Sequence, residues 1–196
     1  YHINDIKYLF NLMGISYIHP DGEAEAYASE LCRIGYVDYV VTEDMDSLVF
    51  GCPKMIRTCL DKSIKRNDVV SIINLETILK QFNMNMEEFT DMCILCGCDY
   101  CPTIPGVGTV RSYNHIKKYK SIEKLIESGK CNIPEDFLKR YKSSRDLFNI
   151  FKDKIDITNM NMKSSDYNKE KLFNFLTKEC NMNEKRILKT LSKFDS

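Results

Sequence analysis

The chain has 196 residues, is 43% hydrophobic, and balances 28 basic against 28 acidic side chains, enough to bury one sizeable core or two small ones. No run of about 18 uninterrupted apolar residues occurs, and Tyr1 to Phe10 lacks the charged start and apolar middle of a signal peptide, so nothing points to a membrane or to secretion. Nine cysteines, an odd number in irregular spacing, fit free thiols in a reducing compartment, nucleus or cytoplasm, better than a disulfide framework.

In chain order, Ile3 to Met13 reads as a helix, with Ile6, Leu9, Phe10 and Met13 at helical spacing and Gly14 ending it. Ile15 to His19 is a short strand by composition. The Pro20-Asp21-Gly22 turn starts a helix over Glu23 to Ile34, closed by Gly35. Tyr39-Val40-Val41 suits a buried parallel strand, and Thr42 to Asp46 is the loop leaving its carboxyl end. Lys54 to Cys59 reads as another strand, and Leu75 to Phe82 and Glu87 to Leu95 as helices. Gly97 to Gly108, rich in Gly and Pro, is a turn. Beyond it the pattern is mostly helical: Val110 to Lys118, then Ser121 to Glu127 with Ser121 as N-cap. A looser stretch, Asn159 to Asp166, precedes a last helical pair, Lys169 to Cys180 and Asn183 to Phe194. Alternating strand and helix in the first half predicts an α/β fold with a parallel sheet, whose sites lie at the carboxyl edge of the strands.

The zero net charge hides a segregation. Residues 1 to 50 carry nine acids against two bases, whereas residues 109 to 145 carry ten bases against four acids. An acidic half can hold cations and a basic half phosphates, although solvated faces would look the same.

The acidic half is patterned. Glu23 and Glu25 stand two apart at a helix start among small residues. Asp44 and Asp46 stand two apart directly after a strand, where alternate side chains can face one cavity. Asp99 sits where a helix ends in a turn. Grouped carboxylates repel one another unless cations neutralise them, and hard oxygen donors suit magnesium, with manganese able to substitute. Two ions about 4 Å apart are a common arrangement for cleaving phosphodiesters. Acids also start helices because the helix dipole favours them there, so Glu23 and Glu25 alone would carry little weight.

Ile104-Pro105-Gly106-Val107-Gly108 precedes a helix with Arg111 in its first turn. Gly106 and Gly108 let backbone approach a phosphate, and the helix start offers free N–H groups. Lys117, Lys118, Lys120 and Lys124 follow, strengthening a reading as a grip on duplex backbone. Cys93, Cys96, Cys98 and Cys101 are spaced too compactly for a zinc ribbon or finger. His2, His19 and His115 match no ligand spacing, and the aromatic residues read as core.

Together these segments resemble the flap endonuclease family of XPG-type structure-specific 5′ nucleases. Gly22-Glu23-Ala24-Glu25-Ala26, Thr42-Glu43-Asp44-Met45-Asp46-Ser47-Leu48 and Leu95-Cys96-Gly97-Cys98-Asp99-Tyr100 match its internal-region motifs in order and spacing, and Ile104 to Gly108 matches its helix-two-turn-helix element. The resemblance implies part of a PIN-like, Rossmann-like nuclease core over residues 1–90, a helix-two-turn-helix region over 91–150, and C-terminal helices packing back on the core over 151–196. It implies that Glu23, Glu25, Asp44, Asp46 and Asp99 serve a site for two magnesium ions, and that the carbonyls of Cys96, Thr103 and Val107 help hold a potassium ion bridging to DNA. Arg111 matches a phosphate-contacting base, whereas Val110 stands where close relatives often carry Lys. The family begins with a region supplying further aspartates and a helical arch, and many members end in a sliding-clamp motif. The expectation is therefore a piece of a larger monomeric enzyme that cleaves 5′ flaps or 5′ ends on branched or nicked duplex DNA in replication and repair. The alternative is a non-catalytic duplex-binding module.

Overall fold

The computed structural model describes residues 2–58, 60, 69–158, 160, 162 and 164–193. In order these form α1 (His2–Met13), α2 (Ala24–Arg33), β1 (Val40–Val41), α3 (Asp46–Val49), β2 (Lys54–Thr58), β3 (Val70–Asn74), α4 (Leu75–Phe82), α5 (Met86–Cys96), α6 (Thr109–Tyr119), α7 (Ile122–Glu127), α8 (Glu135–Phe148), α9 (Lys169–Asn174) with a π-helical turn over Phe175–Glu179, and α10 (Glu184–Leu191). Local chemistry sets several of these boundaries. Asn85 accepts from the Glu88 N–H at 2.8 Å, and the Glu88 carboxylate accepts from the Asn85 N–H at 3.2 Å, a capping box that opens α5. Ser121 caps α7, as its sequence position predicts.

The α/β class is as expected. Within the sheet, β1 pairs with β2 in parallel, Val40 opposite Met55, and β3 adds an antiparallel strand that the sequence reading missed. Antiparallel neighbours need no crossover helix between them, so residues 59–69 suffice to connect β2 to β3. The strand expected over Ile15 to His19 is not formed. Short β-branched segments become strands only where an edge is available, and here the Ile15 N–H instead bonds the Phe10 carbonyl at the end of α1. The loop expected through Asp46 turns helical at that residue, the first of α3. Of the expected boundaries, Cys59, Asn159 and Phe194 lie outside the described residues.

The chain divides into two compact units, residues 20–157 and residues 1–19 with 158–196. In the second, α1, α9 and α10 bury Leu12, Leu172, Phe175, Ile187 and Leu191 together. Gly14 there has φ +68°, and a Cβ on it would lie 2.0 Å from the Ser165 carbonyl oxygen, which only glycine permits.

In the first unit, Cys52, Met55, Ile94, Leu95 and Ile116 lose essentially all solvent contact, and α5 packs against α3, α6 and α8. One polar cluster pins that helix. Asp91, buried on α5, accepts from the Ile122 N–H at 3.0 Å and from Arg145 at 2.6 Å, and Arg145 also bonds Glu123 at 3.0 Å. Three helices, α5, α7 and α8, are thereby tied together. Burial holds the Asp91 carboxyl above its ordinary range despite these donors. At the more exposed Glu123 burial also acts upward, but the Arg145 bonds outweigh it and the net direction is down. The pair thus loses much of its Coulomb gain to desolvation, yet leaving either partner alone is worse. Replacing Arg145 with Met should destabilise the chain by about 3 kcal/mol in urea unfolding, at the low end for buried pairs because Arg145 is part-exposed. A loss below about 0.5 kcal/mol would put the cluster with ordinary surface pairs.

Candidate functional site

The acidic site is assembled from three separate pieces of chain. β1 runs into Thr42, whose N–H bonds the Ile56 carbonyl of β2 at 3.0 Å, so the strand's end is anchored. The loop then folds on itself: Thr42 Oγ1 accepts from the Asp44 N–H at 3.0 Å, and Asp44 Oδ1 accepts from the Asp46 N–H at 2.9 Å. Glu43 turns the other way. Its carboxylate accepts from the Thr58 N–H at 2.8 Å, the Thr58 hydroxyl at 2.9 Å and Arg57 at 3.0 Å, which holds it below the usual carboxylate range and strips it of any part in the cluster.

Asp46, half-buried, meets the fields of Asp44, Asp99 and Glu23, and burial together with these three like charges pushes its carboxyl upward. Four of the five sequence-predicted carboxylates therefore converge. Glu25, in the first turn of α2, is not among the charges acting on Asp46. The position of α2 is set from its far end, where buried Glu30 accepts from Arg33 at 2.6 Å and from the Asp153 N–H at 2.8 Å.

Tyr100 is a member that the sequence reading missed. Its hydroxyl donates to Glu23, and burial plus the negative Glu23, Asp46 and Asp99 push it up to about 12, so it stays protonated. Its ring packs edge-on against Phe148 at 5.4 Å, which fixes the donor beside the carboxylates. The only signal in the sequence was adjacency to Asp99.

Oxygen-only donors and uncompensated negative charge fit a hard divalent cation. Among the described residues, no three His, Cys, Asp or Glu side chains are grouped so as to hold an ion alone.

The glycine turn connects this site to the basic helix. It leaves α5 at Gly97, passes through a short bridge between Cys98 and Cys101, and enters α6 at Gly108. Gly106, at φ +77°, takes a left-handed conformation, and its carbonyl accepts from Arg111 Nη1 at 2.6 Å. A Cβ at Gly108 would meet nothing within 4 Å, so glycine there leaves the backbone face open to an incoming group. Cys96 is the last residue of α5, Thr103 lies within the turn, and Val107, buried, stands just before the Gly108 cap of α6. Lys117 reaches the Tyr113 hydroxyl at 3.1 Å, and Lys118 lies over the Tyr119 ring at 5.1 Å; both are exposed on α6. Lys120 instead pairs with Glu88 of α5 at 3.3 Å. Val110 is 73% exposed, an apolar side chain on the same first turn as Arg111.

The XPG I-region family model matches residues 14–99, which carry all five carboxylates. Flap endonuclease 1 of Cryptosporidium muris is 38% identical over 202 residues, 94% of this chain and 41% of that protein. The corresponding enzyme of Enterocytozoon bieneusi is 44% identical over 147 residues, 75% of this chain and 40% of that protein. The chain belongs to the flap endonuclease family. It spans about half or less of the length of the curated family members it matches. Flap endonuclease-1 from Methanococcus jannaschii superposes with a TM-score of 0.75 at 27% identity, covering 97% of this chain and 56% of that one. The catalytic core of Rad2 in complex with DNA substrate shares the fold, with a TM-score of 0.73 at 20% identity over 97% of this chain and 68% of that one.

The crowding at Asp46 has a measurable sign. An Asp raised in the folded state contributes stability that is greatest below its unfolded pKa and is lost as pH rises through the folded value. Asp46→Asn should therefore raise the melting temperature above neutral pH without divalent ions by about 1–2 °C, a modest shift because solvent screens a half-exposed group. The gain should vanish near pH 3. An equal gain at both pH values would remove like-charge repulsion as its cause.

Proposed function

We propose that the protein is a structure-specific 5′ nuclease that cleaves phosphodiester bonds of branched or nicked duplex DNA, at 5′ flaps or 5′ ends, in replication and repair. The observation that carries this reading is the joining of four carboxylates to a glycine-hinged basic helix through one segment, Cys98 to Gly108, which carries Asp99 and ends at the start of α6. A phosphate gripped at the turn is thereby held at a set reach from the acidic cluster.

Asp44, Asp46, Asp99 and Glu23 are the residues proposed to hold two magnesium ions, manganese substituting, with Glu25 contributing once substrate draws the site together. Bound there, such ions supply charge neutralisation at the scissile phosphate and an activated water. The chain's own parts do the positioning. Tyr100 orients Glu23 and keeps its proton at working pH. Asp44, with one oxygen engaged by the Asp46 N–H, fixes the direction of the other. Gly106 and Gly108 present backbone to a duplex phosphate, Arg111 adds a charge, and Lys117 and Lys118 extend the positive face. The carbonyls of Cys96, Thr103 and Val107 are proposed to seat potassium between turn and phosphate. Cleavage leaves a 5′-phosphate and a 3′-hydroxyl. We further assign the protein to the nucleus or cytoplasm as a monomer, with a sliding clamp as a partner of the longer enzyme. No helix among the described residues is long and apolar enough to cross a membrane.

A second reading, a duplex-binding module without catalysis, draws on the lack of a ready three-ligand group among the described residues. A labelled 5′ flap incubated with magnesium separates the two. Cleavage by the protein, abolished by Asp46→Asn with duplex binding retained, is the expected result. Retention of the flap with no product, by this chain and by the longer enzyme alike, would favour the module. Arg111→Ala should weaken duplex binding while lowering the slope of log affinity against log salt by about one.

A further inference from the structure

A cavity of about 750 Å³ opens on the outer side of the turn, floored by Ile104 and Val107 and walled by Arg111, His115, Lys130 and Cys131. None of the clustered carboxylates lines it. Within it the Cys131 sulfur lies 3.4 Å from His115 Nε2, and Cys131 is only partly buried. We propose that Cys131 is a thiol-exchange site for small anionic disulfides of the glutathione class.

The other described thiols are placed differently. Cys32, Cys52 and Cys101 are buried. Cys93, Cys96 and Cys98 are pushed upward by burial, and Cys93 and Cys98 also by neighbouring negative groups, Asp46 among them, which suppresses the reactive thiolate. Cys180 is exposed. Around Cys131 the charges are positive. Burial, Arg111 and Lys118 hold the His115 ring below its ordinary value, so at neutral pH it is an uncharged base able to take the thiol proton. Arg111 and Lys130 on the cavity wall match the carboxylates of a tripeptide disulfide.

The exchange balances without another reactant. The Cys131 S–H proton passes to His115 Nε2 and the thiolate attacks one disulfide sulfur. The new S–S bond forms as the old one breaks, and the departing thiolate takes the proton from His115. The Cys131 sulfur rises by one formal oxidation unit, from thiol to mixed disulfide, as the released sulfur falls by one, so no other oxidant is needed. The adduct places negative charge beside Arg111 and the turn. Weaker duplex binding is then a consequence that rests on the reading of the turn as a DNA grip; the labelling of Cys131 does not.

The test uses the whole chain with glutathione disulfide, sites being read by peptide mass mapping over time. Cys131 should be labelled about tenfold faster than exposed Cys180, the advantage of a thiol beside a base and cations. That preference should shrink in high salt and with neutral bis(2-hydroxyethyl) disulfide, and His115→Gln should remove most of it. Should the variant fold poorly, the comparison of anionic with neutral probe on the unaltered chain decides. Labelling of Cys180 as fast as Cys131, or equal rates with both probes, overturns the proposal. Duplex retention by the labelled chain, measured separately, reports on the DNA reading alone.

Discussion

Asp91 and Arg145 are 54 residues apart in the chain and meet in the interior of the larger unit. Their bond, with the Ile122 N–H and Glu123 attached to it, fixes where α5 lies against α7 and α8. Much else hangs on that helix. Its amino-terminal end is set by a capping box, its apolar face joins the core, and its carboxyl end delivers Asp99, Tyr100 and the glycine turn together. The net energy of such a pair is small because desolvation offsets attraction, so its value lies in geometry: alternative packings of α5 would leave a buried charge alone.

What α5 delivers is a concentration of like charge that the fold tolerates rather than relieves. Glu43 is drawn aside by Thr58 and Arg57, Glu30 is neutralised by Arg33, and Lys120 is paired with Glu88. Among the described residues, every charge that shifts Asp46 is negative. A surface that pairs its acids elsewhere and leaves one group crowded gives up stability there, as functional sites commonly do.

The opposite end of the turn has the complementary character. Exposed Lys117 and Lys118, the open backbone at Gly108 and the engaged guanidinium of Arg111 make a positive surface. Acidic and basic faces joined by one short, glycine-bent segment explain how a chain of zero formal charge can present two opposed fields.

Several features were legible before any fold was known. Helices α4, α5, α6 and α7 follow from apolar spacing, and α7 also from the cap at Ser121, because those signals are local and backbone N–H groups at a helix start must find partners. The pairing of Asp44 with Asp46 after a strand, and of glycines before Arg111, was likewise written in short-range order. Tertiary structure decided the rest. Ile15 to His19 has strand composition but finds no edge to pair with, while β3 exists because β2 offers one. Glu43 and Asp44 are neighbours with the same chemistry, and only the place of Thr58 and Arg57 sends one away and leaves the other beside Asp46. Tyr100 joined the site, and Lys120 left the basic face, through contacts with Glu23 and Glu88 that no spacing along the chain encodes. Local order sets which elements can form; which side chains share a field depends on through-space packing of distant segments.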